Sequence, residues 1–101
     1  MHPLCCRLDA MDAHQRERHR ALAGVLKASM QHVRELDDGW AFGFAPDASL
    51  YLALAEFITL ERLCCPFVRF SLDLEPDDGP AWLRMTGREG VKQLLRDELK
   101  S

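Results

Sequence analysis

Cys65-Pro66-Phe67-Val68-Arg69-Phe70-Ser71-Leu72-Asp73-Leu74-Glu75-Pro76-Asp77-Asp78-Gly79-Pro80 is the stretch that decides the architecture. Pro66 ends whatever helix precedes it, because the residue before a proline is steered away from the α region. Val68, Phe70, Leu72 and Leu74 then alternate with Arg69, Ser71, Asp73 and Glu75. A period of two means a strand with one buried face. Pro76-Asp77-Asp78-Gly79-Pro80 is turn chemistry, and residues 81–85 make the return strand of a hairpin.

Upstream of this hairpin, residues 48–65 are dense in apolar side chains at helical spacing. Before them, residues 31–36 and Trp40-Ala41-Phe42-Gly43-Phe44 flank Asp37-Asp38-Gly39 and read as a second hairpin. A first helix is expected over 10–29, capped by Asp9 with Asp12 in its first turn. Thr86 and Glu89 have capping-box spacing, which predicts a last helix over 87–100 with Val91, Leu94, Leu95 and Leu99 on one face. The order is α-ββ-α-ββ-α. Each hairpin carries an Asp-Asp-Gly turn and a nearby tryptophan, Trp40 or Trp82, a weak internal similarity. The expected fold is α+β, one four-stranded antiparallel sheet with helices packed on one face.

The chain of 101 residues reads as a single domain, an N-terminal segment 1–9 followed by an α+β core at 10–101. A net charge of −3 gives no general attraction to nucleic acid or to an anionic membrane. The arginines at 16, 18 and 20 are diluted by Asp12 and Glu17 and read as a solvated helix face. No run approaches the roughly 20 apolar residues of a membrane span. The first residues lack the basic and apolar regions of a secretory signal. The expected location is the cytoplasm, where thiols stay reduced, so a disulfide framework is not expected.

The four cysteines come as two adjacent pairs, Cys5-Cys6 and Cys64-Cys65. On a helix with 100° per residue, Leu50, Leu54, Phe57, Ile58, Glu61, Cys64 and Cys65 fall on one stripe of about 120°. Glu61 lies near its centre, with the two thiols three and four residues on. A buried carboxylate needs a cation, a metal or a proton. Arg69 or Arg7 could supply a salt bridge to Glu61. Alternatively Glu61 is a metal ligand or a proton acceptor for a thiol. Adjacent thiols point about 100° apart on a regular helix, but an opened last turn would let both face one side. The helix C-terminus and Glu61 both disfavour a thiolate, whereas a bound metal would deprotonate the thiols outright. Ligation is therefore favoured over an autonomous nucleophile.

With the N-terminal segment docked near the end of this helix, Cys6, Cys64 and Cys65 would give a three-thiolate site, and Cys5 or Glu61 a fourth ligand. Such donors select Zn(II), Cu(I) and other thiophilic ions. Cys-Cys departs from the Cys-x₂₋₄-Cys spacing usual for structural zinc. The histidines are not expected to contribute: His14 and His19 lie on different helix faces, and His2 and His32 read as tail and packing.

At Glu61-Arg62-Leu63-Cys64-Cys65-Pro66-Phe67, and again at Thr86-Gly87-Arg88-Glu89-Gly90, the chain resembles a group of small uncharacterised bacterial proteins. That group carries a Glu-Arg-x-Cys-Cys-Pro-Phe box, a later Thr-Gly-x-x-Gly box, and a cysteine shortly before the first helix, which Cys6 matches. The resemblance implies that Cys6, Glu61, Cys64 and Cys65 act together, with Cys5 a departure. It implies no reaction.

The expectation is a small soft-metal-binding protein, more a binder than an enzyme, for sequestration, sensing or delivery in heavy-metal handling. Two alternatives stand beside it. One is a thiol redox protein with a reversible disulfide. The other is a structural or interaction module, which an exposed aromatic face around Trp40 and Phe42 or a homodimer through the sheet would favour.

Overall fold

The computed structural model describes residues 7–100. A short 3₁₀ turn, Leu8–Ala10, leads to α1 (Ala13–Ser29), β1 (Met30–Leu36), β2 (Gly39–Phe44), α2 (Ala48–Cys64), β3 (Arg69–Leu74), β4 (Ala81–Thr86) and α3 (Val91–Lys100). The four strands form one antiparallel sheet in the order β1-β2-β4-β3. The α-ββ-α-ββ-α order and the α+β class are as expected. The two hairpins join through their second strands, so β2 and β4 are central and β1 and β3 are edges.

Alternation along β2 and β4 sorts the sheet into two faces. Trp40, Phe42 and Phe44 stand opposite Met85, Leu83 and Ala81, and all six belong to the buried core. Leu22 and Leu26 from α1, Leu54 and Leu60 from α2, and Val91 and Leu95 from α3 join that core, with Met11, Cys64, Cys65 and Val68. Trp40 and Phe42 are therefore interior residues, and the exposed aromatic face that would have favoured an interaction module is not formed by them. On the opposite face β2 presents Gly39, Ala41 and Gly43. Trp82 lies across Gly43, with the Arg34 guanidinium 4.5 Å from its ring centroid.

The helix ends correct the sequence reading in two places. α1 starts at Ala13, because Asp12 and Gln15 form the capping box: Gln15 N–H donates to Asp12 Oδ1 at 2.8 Å, and Asp12 N–H to Gln15 Oε1 at 3.0 Å. Asp9 belongs to the preceding 3₁₀ turn. α3 starts at Val91, not at 87, since Thr86 is the last residue of β4 and pairs with Gly39 and Arg69. Gly87 N–H donates to Asp38 O at 3.1 Å, and Gly90 sits at φ 96°, a left-handed residue that no helix start at 87 can contain.

The two Asp-Asp-Gly turns are also unlike. Asp77 and Asp78 both have positive φ, 58° and 57°, and Gly79 N–H closes the turn on Pro76 O at 3.1 Å. In the first hairpin Asp37 and Asp38 form the connection, while Gly39 is already in β2. A Cβ on Gly39 would lie 2.0 Å from Met85 O, so the close approach of β2 to β4 is what requires glycine there. No helix among the described residues is long and apolar enough to cross a membrane.

Candidate metal centre

The centre lies where α2 ends. Asp47 starts this helix, its carboxylate accepting from Ser49 N at 2.8 Å and Leu50 N at 3.2 Å. Along the inward stripe Leu54, Glu61 and Cys64 are 0%, 3% and 1% exposed, with Leu50, Phe57 and Ile58 packed against the core around them. The apolar stripe thus carries a carboxylate and a sulfur into the interior.

Pro66 governs the exit from the helix. Cys65, the residue before it, still donates its N–H to Glu61 O at 2.7 Å, but leaves the helix at φ −125°, ψ 71°. That turn of the backbone brings the second sulfur round beside the first. Cys64 Sγ and Cys65 Sγ are 3.5 Å apart, and the Cys65 thiol donates to Glu61 Oε1 at 3.3 Å. Cys65 is 0% exposed. The ligand atoms of Glu61, Cys64 and Cys65 all lie within 4.8 Å of one another.

The remaining carboxylate oxygen, Glu61 Oε2, meets His19 Nε2 of α1 in a short hydrogen bond. His19 also stacks on Phe57, with ring centroids 5.3 Å apart and planes at 20°. The hydrogen bond to Glu61 raises the His19 pKa above its ordinary value of 6.5, against the opposing effect of burial; the negative charge of Glu61 adds to the rise. The partner of Glu61 is therefore His19, not Arg69 or Arg7. Two arginines do help assemble the surroundings. Arg18 ties α1 to α2 by a bidentate pair with Glu56, both contacts at 2.7 Å. Arg7 acts through its backbone, donating N–H to Cys64 O at 2.8 Å. This bond fastens the chain just after Cys6 to the last turn of α2. Cys5 and Cys6 themselves lie outside the described residues.

Glu61, Cys64 and Cys65 are thus brought together as the sequence suggested, while His19 was not expected to contribute. Its signal was present: His19, Leu22 and Leu26 are spaced i, i+3, i+7, which puts the imidazole on the inward stripe of α1. His14, weighed beside it, is exposed.

Tetrahedral zinc, with Zn–S near 2.3 Å and Zn–O near 2.1 Å, needs S···S of about 3.8 Å and S···O of about 3.6 Å. Two of the three separations, 3.5 Å between the sulfurs and 3.3 Å from Cys65 to Glu61, are within a few tenths of an ångström of those edges, and the third, Cys64 to Glu61, lies within 4.8 Å. His19, Glu61 and Cys64 also line a pocket of about 470 Å³ between the helices and the sheet. Comparisons with family models, with curated proteins and with solved structures find no match to the chain.

Proposed function

We propose that this protein binds a thiophilic metal ion, of the Zn(II) or Cu(I) type, through Cys64 Sγ, Cys65 Sγ and a Glu61 carboxylate oxygen. The observation that carries this reading is the buried convergence of two sulfurs and a carboxylate, every ligand atom within 4.8 Å of the others. Cys6 is the natural further ligand. It directly precedes Arg7, whose N–H rests on Cys64 O, and one extended residue spans at most about 3.6 Å. Cys5 is the other candidate from the same segment. The role would be sequestration, sensing or delivery.

Ligation requires the thiols to lose their protons. The Cys65 thiol already points its proton at Glu61 Oε1. Carboxylates that ligate metals are commonly held by hydrogen bonds from outside the coordination sphere. His19 holds Glu61 in this way, through the oxygen that does not face the sulfurs. It supports the site without being a ligand.

Native mass spectrometry and elemental analysis, on untagged protein purified anaerobically without chelator, test the proposal. The expected result is about one ion per chain, lost in both Cys64→Ser and Cys65→Ser and weakened in Cys6→Ser. Unchanged stoichiometry in the first two variants would end it. Metal-free protein that loses two hydrogens on mild oxidation, reversibly, would instead favour a thiol redox role.

A further inference from the structure

The pocket beside the centre is built unlike the entrance to an inorganic ion site. Its volume of about 470 Å³ falls in the range of small-molecule sites, ~300–1,000 Å³. Phe42, Phe44, Leu83, Met85, Leu26 and Leu95 contribute apolar wall, Arg16, Arg20, Lys27 and Glu98 add charged groups, and Glu61 and Cys64 line it too, with Cys65 directly behind Cys64. A hydrated ion loses its water on entering such a space and gains nothing from apolar walls. A compound that carries an apolar group gains from every part of that wall it covers.

The sulfur geometry narrows the class. Two sulfurs 3.5 Å apart are placed to bond one atom together. Trivalent arsenic with one organic substituent has two positions for sulfur, on the same side of a pyramid, and the third filled by carbon. Linear organomercury takes one sulfur, and so uses half of what is offered.

We infer that the pocket and the cysteine pair together accept a mono-organo arsenic(III) compound, the arsenic on Cys64 and Cys65 and the organic group in the pocket. This rests on the reading of Cys64 and Cys65 as a joint ligand pair. The exchange is R–As(OH)₂ + 2 Cys–SH → R–As(S–Cys)₂ + 2 H₂O. Two As–O bonds break and two As–S bonds form. Each thiol proton leaves with a hydroxide as water, and arsenic stays trivalent. Glu61, which already accepts from Cys65, is placed to take the proton in transit and return it to the departing hydroxide.

The test uses the full chain, reduced and metal-free, with phenylarsine oxide and methylarsonous acid as probes and cadmium as an inorganic control. The two arsenicals make the same two As–S bonds and differ in the organic group. Their relative affinity for a simple dithiol in solution sets the baseline. The protein is expected to favour the phenyl compound over that baseline by about tenfold, the order of a few well-covered carbon atoms. Ala23→Trp and Met30→Trp each fill the pocket from its wall; at least one, folded by circular dichroism, should abolish the preference and leave cadmium binding unchanged. A preference equal to the baseline, or one that survives both substitutions in folded protein, overturns the inference alone. Failure of arsenicals and cadmium alike overturns it together with the metal-binding reading beneath it.

Discussion

Removing the His19 imidazole should cost more stability than neutralising the carboxylate it faces. Glu61 has a side chain only 4% exposed, and its two carboxylate oxygens take one hydrogen bond each from His19 and Cys65. His19→Ala leaves the buried carboxyl group with a single thiol donor. Breaking one side of a buried pair costs about 3–5 kcal/mol. The His19 side chain is 19% exposed, so water can reach the vacated space, which sets the expectation at the lower end, about 3 kcal/mol. Part of that is the lost stacking on Phe57, worth roughly 0.5–1.5 kcal/mol. Glu61→Gln keeps the shape and an acceptor for Cys65, and should cost about 1 kcal/mol. The double variant separates the terms: only the stacking part of the His19 cost survives once residue 61 is neutral, so the double variant should be less destabilised than the sum of the singles by about 1.5–2.5 kcal/mol. The assay is urea unfolding of metal-free, reduced protein at neutral pH. Fluorescence of the buried Trp40 and Trp82 serves as one probe and circular dichroism as the other. For a domain of this size about 3 kcal/mol is a fall in Tm of roughly 12–24 °C. Additivity within about 0.5 kcal/mol, or a His19→Ala cost below about 1 kcal/mol, would show that Glu61 does not depend on His19.

Four further outcomes concern this pair and other positions of the fold. The folded His19 pKa is raised above 6.5, so its contribution to stability is fully present below about pH 6.5 and is lost as pH rises through the folded value; urea midpoints of metal-free wild type should fall across that interval relative to His19→Gln, and parallel curves would contradict the pairing. Gly39→Ala sets a Cβ 2.0 Å from Met85 O and should cost about 3 kcal/mol, since backbone and not a side-chain tip must move; a loss under about 1 kcal/mol would mean β2 and β4 are not held that closely. Gly24→Ala, in α1 with nothing within 4 Å of the added carbon, should instead stabilise by roughly 0.5–1 kcal/mol in the same measurement. Leu54→Ala, at a fully buried position, should cost about 3 kcal/mol, whereas Leu52→Ala, 74% exposed, should cost less than about 0.5 kcal/mol.

Much of the fold could be read locally. The strand at β3, the proline at 66 and the stripe from Leu50 to Cys64 each act within one element and form as expected, but the single buried face of β3 does not: its burial is intermediate on both faces and Leu74 is 53% exposed at the sheet edge. The two helix starts differ from expectation because two equally legible local signals have different tertiary fates. Asp12-x-x-Gln15 is a capping box as legible as Thr86-x-x-Glu89, yet only the first forms. At the second, strand pairing of Thr86 with Gly39 and Arg69 takes the residue into the sheet. That competition is tertiary and leaves no mark on the residues immediately around it. The join of β2 to β4 is likewise a contact between segments some forty residues apart. Leu60, buried outside the stripe as drawn, marks where packing beyond the helix widens its inward face.

The juxtaposition of Glu61, Cys64 and Cys65 in the candidate site was legible for a related reason, while Cys5 and Cys6 lie outside the described residues. Glu61, Cys64 and Cys65 lie within five residues, so helix geometry and Pro66 place all three. His19 comes from another helix. Its inward position was readable from Leu22 and Leu26, but its pairing with Glu61 depends on how α1 lies against α2, which the exposed Arg18–Glu56 pair helps to set.

Stability alone gives a poor reason for this arrangement. A buried ion pair seldom outweighs the desolvation of its two charges, and apolar side chains of similar volume often serve the core as well or better. Two sulfurs beside a carboxylate pack no better than two small hydrocarbons would. Phe44, Leu54 and Val91 of the same core are 1% exposed or less. What the arrangement does provide is direction. His19 takes one carboxylate oxygen and leaves the other aimed at Cys65. Pro66 turns Cys65 so that its sulfur meets that of Cys64. Arg7 fastens the segment after Cys6 to the same helix end. Each constraint fixes an orientation at the end of α2, where Glu61 and Cys64 also line the pocket. Together these contacts hold Glu61, Cys64 and Cys65 in fixed orientations toward one another, which packing of the core alone would not require.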